Sequence, residues 1–68
     1  MMPISYNKLW KILIDKDMKK MELKKATAMG STTLSKLSKN QVVSMDVLMK
    51  ICKVLDCDFG DIVEYIND

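Results

Sequence analysis

The chain of 68 residues contains no histidine. The side chain best suited to general acid–base work near neutral pH is therefore missing. Its two cysteines, Cys52 and Cys57, are too few for a disulfide framework. Four residues separate them and no histidine accompanies them, so neither common zinc spacing is met. No metal and no cofactor is expected. Cys52 lies within an apolar helical pattern, and Cys57 stands beside Asp56 and Asp58. Neighbouring carboxylates oppose thiolate formation, so neither thiol is expected to act as a nucleophile. With no catalytic constellation left, an enzyme is not expected. No uninterrupted apolar run exceeds three residues, Ile12–Ile14 being one. No membrane span is expected from such runs. Met1–Pro3 leads into lysine-studded sequence without an apolar h-region, which speaks against a secretory signal. A cytoplasmic protein with reduced thiols is the expectation.

What is present is globular in composition, with 49% apolar and 29% charged residues. The length suits one domain, residues 1–68, which buries roughly 60% of its unfolded surface. The net charge of +2 conceals an asymmetry. Residues 1–53 carry all eleven lysines against four acids, a balance of +7. Residues 54–68 carry five acids and no lysine, a balance of −5. Between Met18 and Met45 there are six lysines and a single acid, Glu22. A basic zone of this kind points to a polyanionic partner, and the acidic end marks the face turned away from it.

Periodicity divides the chain into five short helices and no sustained strand alternation. The first is expected from about Tyr6 to Asp15 behind Ser5 as N-cap. Lys8, Lys11 and Asp15 share its narrow polar face, and the remaining apolar arc, Trp10 and Ile14 included, spans roughly 200°. One small core cannot cover so wide an arc, which suggests a second chain or a terminal segment folded over it. The second helix is expected over about 20–28, with Leu23 and Ala26 or Thr27 inward. Glu22 occupies the capping-box position, but Lys19 makes a poor N-cap. Ala28-Met29-Gly30 reads as a turn plugged by Met29. The third helix is expected over about 31–38, with Leu34 and Leu37 inward and Ser31, Thr32, Ser35, Lys36 and Lys39 outward. A loop over Lys39–Val43 follows. Ser44 should cap the fourth helix, whose apolar face is Val47, Leu48, Ile51, Cys52, Val54 and Leu55. Asp58 should cap a fifth helix with an inward stripe of Phe59, Ile62, Val63 and Ile66.

The spacing Leu23-x-x-Ala26, Met29, Leu34-x-x-Leu37 is what two helices crossing steeply over a three-residue turn require. It is the helix-turn-helix arrangement, whose second helix enters the DNA major groove. An outward stripe of serine, threonine and lysine suits that task. Hydroxyls bond several base edges, the threonine methyl can touch the thymine methyl, and lysine reaches guanine O6 or N7.

The stretch MELKKATAMGSTTLSKL from Met21 to Leu37, with SMDVLMKICKVLDCDFGDIVEYI after it, resembles the Cro and phage-repressor-like (XRE-type) helix-turn-helix family. The likeness includes Cys57, Asp61, Ile62, Glu64 and Tyr65 and extends over about residues 6–66. It implies an all-α, five-helix, lambda-repressor-like DNA-binding domain that regulates transcription. Carried over by position, it implies base contacts at Ser31, Thr32, Ser35 and Lys36. It implies phosphate contacts at Lys20 and in the loop Lys39-Asn40-Gln41. Double-stranded DNA is the expected partner, with a homodimer formed through the Tyr6, Trp10, Ile14 and Tyr65 surface and no small-molecule effector. A helical protein-interaction module, or an antitoxin-like partner on the same fold, is the alternative. Three departures stand out. Ala28 occupies a turn position where the family usually has glycine, so a left-handed backbone there would be strained. Gly30 replaces the usual serine or threonine cap of the third helix. The chain has no arginine, so bidentate arginine–guanine readout is excluded.

Overall fold

The computed structural model of the protein describes residues 3–66. The elements in chain order are β1 (Ile4–Ser5), α1 (Asn7–Asp15), α2 (Lys20–Thr27), α3 (Ser31–Ser38), α4 (Met45–Leu55), α5 (Phe59–Ile62) and β2 (Glu64–Tyr65). All five expected helices are present, and a short antiparallel ribbon joins the two ends of the described chain.

Local chemistry accounts for where the helices start. The Ser5 hydroxyl accepts a hydrogen bond from the Asn7 amide at 3.2 Å, although Tyr6 is the boundary residue of α1. Lys19 gives α2 no side-chain cap, and only the Glu22 carboxylate reaches back, accepting from the Lys19 amide at 3.4 Å. The Ser44 hydroxyl accepts from the Val47 amide at 3.3 Å and starts α4. Asp58 and Asp61 box the start of α5, through the amides of Phe59 at 2.7 Å and Asp58 at 3.0 Å.

The helix ends share one device. After α1, α2, α3 and α4 the chain passes through a left-handed residue: Asp17 (φ 53°), Ala28 (φ 56°), Asn40 (φ 55°) and Asp56 (φ 53°). The following amide then bonds back five residues: Met18 to Leu13, Met29 to Lys24, Gln41 to Lys36 and Cys57 to Cys52, at 2.8 to 3.2 Å. These are Schellman closures, which satisfy carbonyls that a helix end leaves open. Asp and Asn tolerate the left-handed region because their short polar side chains bond locally. Ala28 has no such group, so the strain expected for this position is present. Neither glycine adopts a positive φ; Gly30 precedes α3 in extended geometry and Gly60 lies within α5.

The core consists of Tyr6, Leu9, Leu13, Leu23, Leu37, Leu48, Ile51, Leu55 and Ile62. It forms where α1 packs on α5, α2 on α4 and α3, and α4 on α5. Of the two residues expected inward beside Leu23, Thr27 is buried, its hydroxyl donating to the Leu23 carbonyl at 2.8 Å, and Ala26 is exposed. The helices therefore do not close on Ala26. Met29 and Leu34 are half-buried, so the turn is not fully plugged. The stripe expected to carry a helix through Ile66 is broken: α5 ends at Ile62, and Val63 is extended (φ −123°, ψ 139°). The reason is a partner far away in sequence. Ile4 pairs with Tyr65 and Ser5 with Glu64, and the Ile66 amide donates to the Pro3 carbonyl at 2.8 Å. The two ends thus close on each other within one chain. Among the described residues no helix is long and apolar enough to cross a membrane.

Replacing Ala28 by glycine should stabilise the fold by about 1 kcal/mol, because a Cβ in the left-handed region costs roughly that much. Ala28 is exposed, so no packing is lost. A thermal melt should show a rise of roughly 4–8 °C. An unchanged or lower midpoint would mean that the turn carries no such strain.

Candidate nucleic-acid interface

Two buried leucines hold α3 against α2, and two backbone hydrogen bonds close the turn between them. Leu23 and Leu37 are completely buried and tie the two helices to the core. The Met29 amide closes the end of α2 on the Lys24 carbonyl at 3.2 Å, and the Leu34 amide closes the first turn of α3 on the Gly30 carbonyl at 3.2 Å. The stripe anticipated on α3 then faces outward: Ser31, Thr32, Ser35 and Lys36 are all exposed, as is Lys39 just beyond. No acidic side chain stands on α3. Among the described residues the one ion pair is Lys50–Asp46 at 3.3 Å on α4, so the lysines of α2 and α3 keep their charge for an outside partner.

Side chains from other elements frame this stripe. Lys20, at the start of α2, holds its ammonium 4.3 Å above the Trp10 ring centroid and 3.5 Å from the Ser38 hydroxyl. It spans α1, α2 and α3, and both contacts restrain an otherwise flexible chain. Lys24, one turn further along α2, donates to the Ser31 hydroxyl at 2.7 Å. In the loop after α3, the Asn40 side-chain oxygen accepts from the Tyr6 amide at 3.1 Å. That oxygen is spoken for within the chain, and the Asn40 amide NH2 is the group left to meet a phosphate. The Tyr6 hydroxyl donates to the Gln41 carbonyl at 2.8 Å, gripping the same loop from inside. Burial pushes the Tyr6 hydroxyl above its ordinary pKa, partly offset by a hydrogen bond from the Val43 backbone.

The four residues expected at a dimer surface separate into two pairs. Tyr6 is corrected: only 2% of its surface is exposed, because it anchors the loop after α3. Trp10 is half-buried, with Lys20 over its ring. Ile14 and Tyr65 stand out into solvent, 77% and 71% exposed. The thiols show no sign of activation. Desolvation by burial raises both, with Cys57 reaching about 11, helped by Cys52 and the nearby Asp61. Among the described residues no cluster of metal-ligating side chains forms.

A profile of the Cro/C1-type HTH DNA-binding domain matches residues 8–68. The chain belongs to the Cro/C1-type helix-turn-helix family. Its structure is similar to the crystal structure of the transcriptional regulator VanUg, form II, with a TM-score of 0.93 and 55% sequence identity. That match covers 97% of this chain and 88% of the other. No curated protein matches the chain. Membership in a DNA-binding family, which is not an enzyme class, agrees with the hydroxyl-rich, acid-free surface of α3.

Two residues of this Cro/C1-type domain escaped the sequence reading. Lys24 looked like one solvated lysine among many, and only the fold brings it to Ser31. Tyr6 looked like surplus apolar surface, and its loop partners lie 34 and 35 residues away. No sequence signal marks either contact.

Tyr6→Phe should cost about 1 kcal/mol, the net worth of one hydrogen bond. Hydrogen exchange at residues 40–43 should accelerate, while the amides of α4 should remain protected. Unchanged exchange in the loop would show that the hydroxyl does not hold it. For Cys57, the neutral thiol is the form favoured by the fold. Its contribution is complete below the unfolded-state value and disappears as pH rises through about 11. In the Cys52→Ser protein the contribution of Cys52 is lost but the burial of Cys57 remains, so thiolate absorbance should titrate above the ordinary thiol value and below that of Cys57 in the parent, and a midpoint at the ordinary value would contradict the burial of this thiol.

Proposed function

We propose that this protein is a transcriptional regulator that inserts α3 into the major groove of double-stranded DNA and acts in the cytoplasm. The observation that carries the reading is the outward stripe Ser31, Thr32, Ser35 and Lys36, exposed and acid-free on a helix clamped by Leu23 and Leu37. Serine, threonine and lysine are side chains that bond base edges, and the groove is wide enough for one helix. Lys20, Lys39 and Asn40 border the stripe, where they would bond phosphates and fix the docking register. The similar VanUg structure, described as a transcriptional regulator, supports the regulatory part of the reading.

One eight-residue helix touches few base pairs, so the working form is taken to be a homodimer on a two-fold symmetric site, with half-sites roughly 34 Å apart. Ile14 and Tyr65 support it as large exposed apolar groups. Trp10, half-buried, keeps part of its surface for the same contact, whereas Tyr6, 2% exposed, does not.

Binding to duplex DNA should be steeply salt-dependent. If each subunit neutralises about four phosphates, log K falls with log salt at a slope near −3.6 per subunit. Thr32→Ala and Lys36→Ala should weaken binding to a preferred site more than to random DNA. Lys20→Ala and Lys39→Ala should weaken both about equally. No duplex binding at 50 mM salt would favour a protein-interaction module instead. Sedimentation should show a dimer at micromolar concentrations, dissociated by Ile14→Asp. A mass of 7.8 kDa persisting to about 100 μM, a Kd worth under about 6 kcal/mol, would exclude the dimer.

A further inference from the structure

The bond from Lys24 to Ser31 joins α2 to the first residue of α3, and it determines what that residue can read. A lysine ammonium is a donor only, with three hydrogens and no acceptor. At 2.7 Å from the Ser31 oxygen it makes that oxygen the acceptor, and the hydroxyl hydrogen turns elsewhere. The other ammonium hydrogens are uncommitted by any acid: the described residues contain one ion pair, on α4, and Glu22 reaches back to the Lys19 amide. The Lys24 backbone is itself fixed, since its carbonyl accepts the Met29 amide at 3.2 Å and closes the turn between the helices. Lys24 is half-buried, so its stem is not free to swing away as an exposed lysine would. The result is a group of convergent donors, N–H and O–H together, beside a positive charge at the outward start of α3. A base edge offering donors, such as the amino group of cytosine or adenine, meets repulsion there. A base edge offering two adjacent acceptors fits, and in the major groove that edge is O6 and N7 of guanine.

Resting on the major-groove reading above, we propose that Lys24, a residue of α2, determines specificity by reading one guanine jointly with Ser31. This supplies guanine recognition in a chain that has no arginine. The pair acts as one unit: removing the ammonium removes the positive charge that repels a donor edge and frees the Ser31 hydroxyl to rotate and to accept from a base at either lone pair.

The test is enrichment of random duplexes by the full-length protein, followed by affinity measurements on the enriched site and on versions substituted at each base pair. The wild type should prefer guanine at one position of each half-site. Lys24→Met, which keeps the aliphatic stem, should lose about tenfold in guanine preference at that position and leave the other positions unchanged. Ser31→Ala should lose preference at the same position, the double variant no more than the larger single loss, and Lys24→Arg should retain it. Equal weakening of Lys24→Met on every sequence would make Lys24 a phosphate contact and overturn the proposal while sparing the major-groove reading. An unchanged preference in Lys24→Met would overturn it as well. A wild type that enriches no sequence would overturn both.

Discussion

The turn between α2 and α3 constrains everything the surface presents. Three residues, Ala28 to Gly30, reverse the chain, and the first adopts a left-handed backbone without glycine. The turn is held because the Met29 amide bonds the Lys24 carbonyl, Thr27 bonds back to Leu23, and Leu23 and Leu37 are sealed in the core. Burying a leucine side chain is worth about 1.5–3 kcal/mol, more than the local strain of one alanine. The angle of α3, and hence the direction of its polar stripe, follows from that balance.

The surroundings of α3 continue the same logic. Its C-terminal loop is fastened to the start of α1 through Tyr6 and Asn40. Its N-terminal residue is bonded by Lys24, and its last turn is reached by Lys20 from the face of Trp10. Lys20 and Lys24 therefore stand in set positions rather than as a diffuse cloud. A positioned donor discriminates between base edges, whereas a diffuse charge only attracts the backbone. α3 carries no acid and Glu22 is the single acid of α2, while five of the nine acids fall between Asp56 and Asp68.

Much of this was legible in the sequence because it is local. The Ser44 and Asp58 caps, the heptad-like spacing of Leu48, Ile51 and Leu55, and the outward serines and threonines of α3 are fixed by neighbours within a turn or two. The lack of a good cap at Lys19 was equally readable. The failures are nonlocal. The β1–β2 ribbon pairs residues about sixty positions apart, and it ended a helix that periodicity carried through to Ile66. Tyr6 read as interface because the loop that buries it lies 35 residues downstream. Periodicity left the inward position of α2 open between Ala26 and Thr27, and the fold buries Thr27.

The central claim is that α3 lies in the major groove. Methylation of guanine N7 by dimethyl sulfate probes that groove directly. On an enriched duplex, bound protein should protect guanine N7 atoms in two clusters about ten base pairs apart on one face of the helix, leaving adenine N3 in the minor groove reactive. Saturating binding with every guanine N7 still reactive, or with protection confined to adenine N3, would contradict it.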